Sequence, residues 1–149
     1  MQRALAVVEP DEHTQEMVRE AAELAEGVGA ELVLLHVTTE EEFHDNQEQL
    51  SKASTSGAGM YNVEKAQEGA QQYAQNVANE LLSDLDVAVT PVGKLGERRE
   101  EILSTDEEYD CDYVFITGRK RSPTGKALFG DDAQAIVLNF EGKVVIETA

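Results

Sequence analysis

Ala4-Leu5-Ala6-Val7-Val8 and Glu31-Leu32-Val33-Leu34-Leu35-His36-Val37 are two short apolar runs separated by a helical pattern, and this stretch decides the fold. Each run has the length and near-continuous apolarity of a strand buried on both faces. Glu9-Pro10-Asp11-Glu12 breaks the first run. From His13 to Glu26, Met17, Val18, Ala21, Leu24 and Ala25 recur at helical spacing, and Gly27 and Gly29 end the helix. The first 37 residues therefore read as one βαβ unit with a right-handed crossover.

The pattern continues outward. Residues 38–60 are polar and acidic, and they include Ser51-Lys52-Ala53-Ser54-Thr55-Ser56-Gly57-Ala58-Gly59. The expectation there is a loop, either a lid or disordered. Val63, Ala66, Ala70, Tyr73, Val77 and Leu81 mark one face of a long helix closing near Ser83-Asp84. Val87 to Val92 reads as a third strand, Gly93 to Gly96 as a turn, and Glu97 to Glu107 as a short helix with Ile102 and Leu103 inward. Tyr113 to Thr117 is a fourth buried strand. Asp131 or Asp132 is placed to cap a helix whose core side holds Ala133, Ile136 and Val137. Val144 to Glu147 is a fifth strand. Strands alternating with helices imply one α/β domain over residues 1–149, a parallel sheet with helices on both faces.

The chain carries 12 Lys+Arg against 30 Asp+Glu, a formal charge of −18. Such a surface lacks the cations that replace counterions on nucleic acid, and it is repelled by anionic lipid. The expected partners therefore include neither nucleic acid nor membrane. The charge suits a halophile's protein, kept in solution when salt screens repulsion; an acidic mesophilic protein is the alternative. The single cysteine, Cys111, lies between Asp110 and Asp112, where neighbouring carboxylates disfavour the thiolate. An inert thiol, a first strand beginning almost at Met1 and no long apolar run together predict a cytoplasmic protein.

In an open α/β sheet, ligands bind beyond the carboxyl ends of the strands. The loops to inspect begin at Glu9-Pro10, at Val37 and at Gly118. The third carries the strongest signal: Gly118-Arg119-Lys120-Arg121-Ser122-Pro123-Thr124-Gly125-Lys126-Ala127-Leu128-Phe129-Gly130. Four of the chain's 12 cations fall within eight positions here, against a negative background. Gly118, Gly125 and Gly130 permit close backbone approach, and Ser122 and Thr124 add hydroxyls. With a helix N-terminus following, the segment reads as an anion site, most simply for phosphate; ion pairing of these cations with nearby carboxylates is the alternative. It is not a Walker loop. That motif needs Gly, four residues, then Gly-Lys-Ser/Thr; Lys120 stands at the first glycine and Ala127 at the hydroxyl position.

Ala4 to His13, Leu34-Leu35-His36-Val37, Asp112 to Gly118 and Val144-Val145-Ile146 together resemble the universal stress protein family over nearly the whole length. The resemblance implies an adenine nucleotide alpha hydrolase-like sheet in the order 3-2-1-4-5. It also implies a homodimer paired through the last strand, working with an unknown regulatory protein partner. In ATP-binding members an aspartate after the first strand holds the adenine side, and a Gly-x2-Gly-x9-Gly-Ser/Thr loop holds ribose and phosphates. Glu9 stands at the aspartate position. Gly118 is the first loop glycine, Arg121 replaces the second, Gly130 is the third one residue early, and Asp131 replaces the terminal hydroxyl residue. Arg121 either adds charge for a phosphate or fills the space a glycine leaves, and Asp131 repels phosphate. The ligand-contacting set expected is Glu9, Pro10, Val37, Gly118, Arg119, Arg121, Ser122, Gly125, Gly130 and Asp131. The cofactor expected is ATP or another adenine nucleotide, with Mg²⁺ only alongside it. A dimeric interaction module that has lost nucleotide binding is the alternative function. His13, His36 and His44 have no metal-ligand spacing, no nucleophile has a recognisable base, and Glu40-Glu41-Glu42 reads as a solvated charge run, so no catalysis is expected.

Overall fold

A computed structural model describes residues 1–53, 61–118 and 130–148. Five strands, β1 (Arg3–Val7), β2 (Glu31–Thr38), β3 (Val89–Leu95), β4 (Tyr113–Gly118) and β5 (Lys143–Thr148), alternate with helices. The helices are α1 (Glu12–Val28), α2 (Glu40–Ala53), α3 (Val63–Leu81), α4 (Arg98–Tyr109) and α5 (Asp131–Asn139). All pairings are parallel and the order is β3-β2-β1-β4-β5, as the sequence predicts.

Alternation along the strands splits the apolar side chains between two cores. Ala4, Ala6, Val8, Leu32, Leu34 and Phe115 face Met17, Val18 and Ala21 of α1 and Ala74 and Val77 of α3. Leu5, Val7, Leu35, Val37, Val114 and Ile116 face Ile102 of α4 and Ala133 and Ile136 of α5. Central β1 and β2 are buried on both faces, which is why they read as continuous apolar runs. Pro91 lies in β3, an edge strand, where its missing N–H costs least. Among the described residues, no helix is long and apolar enough to cross a membrane.

The structure corrects several local expectations. Residues 40–53 of the expected 38–60 loop form helix α2. The Thr39 hydroxyl accepts from the Glu42 N–H at 3.2 Å and donates to the Glu42 carboxylate at 3.0 Å, so Thr39-Glu40-Glu41-Glu42 starts the helix much as a capping box does. Phe43 is buried and stacks on Tyr61 at 5.2 Å between centroids, pinning α2 to the segment before α3. Gly93 is not a turn residue but part of β3. There the backbone of α3 lies so close that a Cβ would come within 2.1 Å of the Gln71 nitrogen. Helix α5 starts from Gly130, and Asp131 and Asp132 occupy its first turn instead of capping it. Leu24 and Val137, read as core-facing, are exposed. Gly29 alone ends α1, in the left-handed conformation at φ 73°, while Gly27 belongs to the helix.

Candidate functional site

The chain runs outward from β1 to β2 and β3, then crosses back to β4 and β5, so the strand order reverses between β1 and β4. A cavity of 470 Å³ opens at this reversal, beyond the carboxyl ends of the two strands and walled by α4 and α5. Its size is that of an ordinary small-molecule site, roughly 300–1,000 Å³.

Glu9 projects from the turn after β1, and local hydrogen bonds hold that turn. The Thr14 hydroxyl donates to the Glu9 carbonyl at 2.8 Å and accepts from the Glu9 N–H at 3.0 Å, while Asp11 caps α1 through the Thr14 N–H at 2.8 Å. Arg98, in the first turn of α4, reaches back across the cavity. Its Nε lies 3.0 Å from Glu9 Oε1, its Nη2 3.7 Å from Glu42 and its Nη1 3.9 Å from Asp132. One guanidinium thus faces carboxylates from the β1 turn, α2 and α5. The Glu9 contact is an ion pair without the alignment of a hydrogen bond, since among the described residues neither Glu9 Oε1 nor Arg98 Nε has a hydrogen-bond partner. Burial pushes the Glu9 carboxyl up to about 7; Arg98 pulls it down, and Glu42 and Asp11 push it further up.

Four of the residues expected at the site line this cavity: Glu9, Gly118, Gly130 and Asp131. Val37 is fully buried in the core and Pro10 is exposed beside the turn; neither lines it. Arg119, Arg121, Ser122 and Gly125 lie outside the described residues. Sequence reasoning passed over Arg98, Arg99 and Thr117, which also line the cavity. The available signal was the Arg98-Arg99 doublet just after Gly96 in an acid-dominated chain. Glu42, read as part of a solvated run, is instead held between Thr39 and Arg98.

Gly118 and Gly130 bracket the opening, a Cβ at Gly130 would meet nothing within 4 Å, and α5 begins there with no side-chain cap on its N–H groups. Among the described walls, Glu9, Asp131 and Asp132 oppose Arg98 and Arg99, so carboxylates outnumber cations there. Elsewhere, the Cys111 thiol is buried and pushed up to about 12, chiefly by burial and then by Asp106, which makes it inert. His36 is a packed histidine. Its Nδ1 is 2.9 Å from the Val8 carbonyl, and burial lowers its pKa. Among the described residues, no three His, Cys, Asp or Glu side chains cluster in a way that could hold a metal ion.

The model of the universal stress protein family matches residues 1–146. The chain belongs to the universal stress protein family. Solved structures agree on the fold. A universal stress protein from Archaeoglobus fulgidus is 22% identical, with a TM-score of 0.57 over 98% of this chain and 97% of that one. A universal stress protein in complex with cAMP is 12% identical, with a TM-score of 0.64 over 99% and 96%. An Archaeoglobus fulgidus universal stress protein in complex with dAMP is 16% identical, with a TM-score of 0.53 over 98% and 96%. Comparison with curated proteins gives no match.

Proposed function

We propose that this universal stress protein is a cytoplasmic, non-catalytic regulatory protein that binds an adenine nucleotide in the cavity between β1 and β4. The observation that carries the reading is the position of that cavity at the strand-order reversal, with Glu9, Gly118 and Gly130 on its walls. Similar proteins have been solved with cAMP and with dAMP, which supports an adenine nucleotide as the ligand class. Glu9 would meet the base or ribose. The segment between Gly118 and Gly130, with Arg119, Arg121, Ser122 and Gly125, would hold phosphate, and Mg²⁺ would enter only with the nucleotide.

Calorimetry with ATP, ADP, AMP, cAMP and dAMP tests the reading. If Arg121 contacts phosphate, Arg121→Ala weakens binding by about 1.5–3 kcal/mol, the scale of a hydrogen bond to a charged group. If Arg121 fills the site, Arg121→Gly creates or strengthens binding. No heat from any nucleotide with wild type or either variant overturns the reading. A second reading then stands, an interaction module without nucleotide. It is favoured by Arg98, whose contacts with Glu9, Glu42 and Asp132 set cavity charges against one another.

A further inference from the structure

A second cavity, of 250 Å³, lies on the opposite face of the sheet, between the end of β2, helix α2 and helix α3. His36, Thr38, Glu42, Tyr61, Gly69 and Tyr73 contribute to its walls. Three observations distinguish it from an idle gap. The Tyr73 hydroxyl is buried and has no hydrogen-bond partner among the described residues, a state that costs free energy unless something binds there. The His36 ring lies 4.6 Å from the Tyr73 ring. A carbonyl only accepts, so His36 Nδ1 must donate to Val8, and Nε2 on the opposite edge of the ring is an acceptor. Gly69 sits inside α3, where glycine weakens a helix, yet a Cβ there would meet nothing within 4 Å. Neither packing nor backbone conformation requires glycine at that position, which lies on the cavity wall.

We infer that this cavity is a second ligand site, separate from the one between β1 and β4, for a small uncharged planar ring whose edge carries a donor beside an acceptor. Tyr73 Oη donates to such an edge and His36 Nε2 accepts from it, while Ala66, Ala70 and Tyr61 add apolar wall. The volume suits a one- or two-ring molecule without phosphate. Glu42 makes an anionic ligand unfavourable, and Lys65 at the rim, 3.3 Å from Glu68, is already paired.

Methyl and aromatic NMR with nicotinamide and uracil as probes tests the site. Saturable shifts are expected at the Ala66 and Ala70 methyls and the Tyr73 ring, with the Ile102, Ile116 and Ile136 methyls of the other cavity unmoved. Tyr73→Phe removes a hydroxyl that has no partner among the described residues, so the variant should fold and bind about two- to tenfold more weakly. Gly69→Leu improves helix propensity while placing a side chain at the cavity wall, so it should fold and lose the shifts. Three results would each overturn the inference: no saturable shift from any probe up to about 10 mM, the weak limit for a fragment-sized ligand; shifts confined to the isoleucine methyls; or full binding by Gly69→Leu.

Discussion

Glu9 is an acid held where ionisation is expensive. Burial raises its carboxyl from an ordinary 4.5 to about 7 despite Arg98 at 3.0 Å. The folded state therefore holds a proton that the unfolded chain releases near pH 4.5. This contribution to stability is fully present below about pH 4.5 and is lost as pH rises through 7. A shift of this size corresponds to roughly 3 kcal/mol. Glu9→Gln, which keeps the shape and removes the charge, should match wild type near pH 4 and exceed it by about 2–3 kcal/mol at pH 8. Paired thermal melts across that range check this, and a gap independent of pH would show that Glu9 does not titrate there. Asp106 acts in the same direction at lower pH. It is pushed up to about 6 by burial first and then by Glu107, Asp110 and Glu141, and its Oδ1 has no partner among the described residues.

At the scale of elements, α3 and β3 are joined by a contact that admits no side chain. A Cβ on Gly93 would lie 2.1 Å from the Gln71 nitrogen, 2.5 Å from the Gln67 oxygen and 2.7 Å from the Ala70 carbonyl carbon. These are backbone atoms and cannot rotate away. Gly93→Ala should force α3 off the sheet edge and cost about 3 kcal/mol or more. For a chain of this size that lowers the melting midpoint by roughly 6–12 °C. A drop of only a degree or two would mean that α3 yields without loss. Helix α2 is held differently. It rests on the Thr39–Glu42 start, on Phe43 against Tyr61, and on Glu42 facing Arg98. With few buried side chains it should be among the first elements to open, and α2 amides should exchange with solvent sooner than those of α1.

At the scale of the whole molecule, charge and an open edge dominate. If every one of the 12 cations paired with a carboxylate, 30 − 12 = 18 carboxylates would still lack a partner. Repulsion among them reaches about 10 Å at 0.1 M salt and about 3 Å at 1 M. Melting temperature is therefore expected to climb from low to molar KCl, and a flat or falling midpoint would remove the halophilic reading. Strand β5 ends the sheet with one side unpaired, and Val145 on it is 38% exposed. An open parallel edge of this kind invites pairing, and we expect a homodimer through β5, the closed two-fold arrangement that proteins adopt most often. Light scattering at micromolar protein in high salt should give twice 16.3 kDa; the monomer mass would rule the dimer out.

The sequence by itself determined the strands, their parallel arrangement and the end of the sheet where a ligand site belongs. Buried strands need continuous apolar runs, so β1, β2 and β4 were legible from Ala4–Val8, Glu31–Val37 and Tyr113–Thr117. Helix α2 was not, because it buries little beyond Phe43 and has no apolar stripe; its trace was the Thr39-Glu40-Glu41-Glu42 start alone. Glu9 and Gly118 were legible as residues at the carboxyl end of the sheet because they stand at the ends of β1 and β4, and Gly130 because it precedes α5. Arg98 was not, because its role lies in distances to positions 9, 42 and 132, which are close only after four elements have packed. The same holds for the raised pKa of Glu9 and for the cavity around Tyr73. Burial and unpaired polar atoms are properties of what surrounds a side chain, and only the tertiary structure decides that.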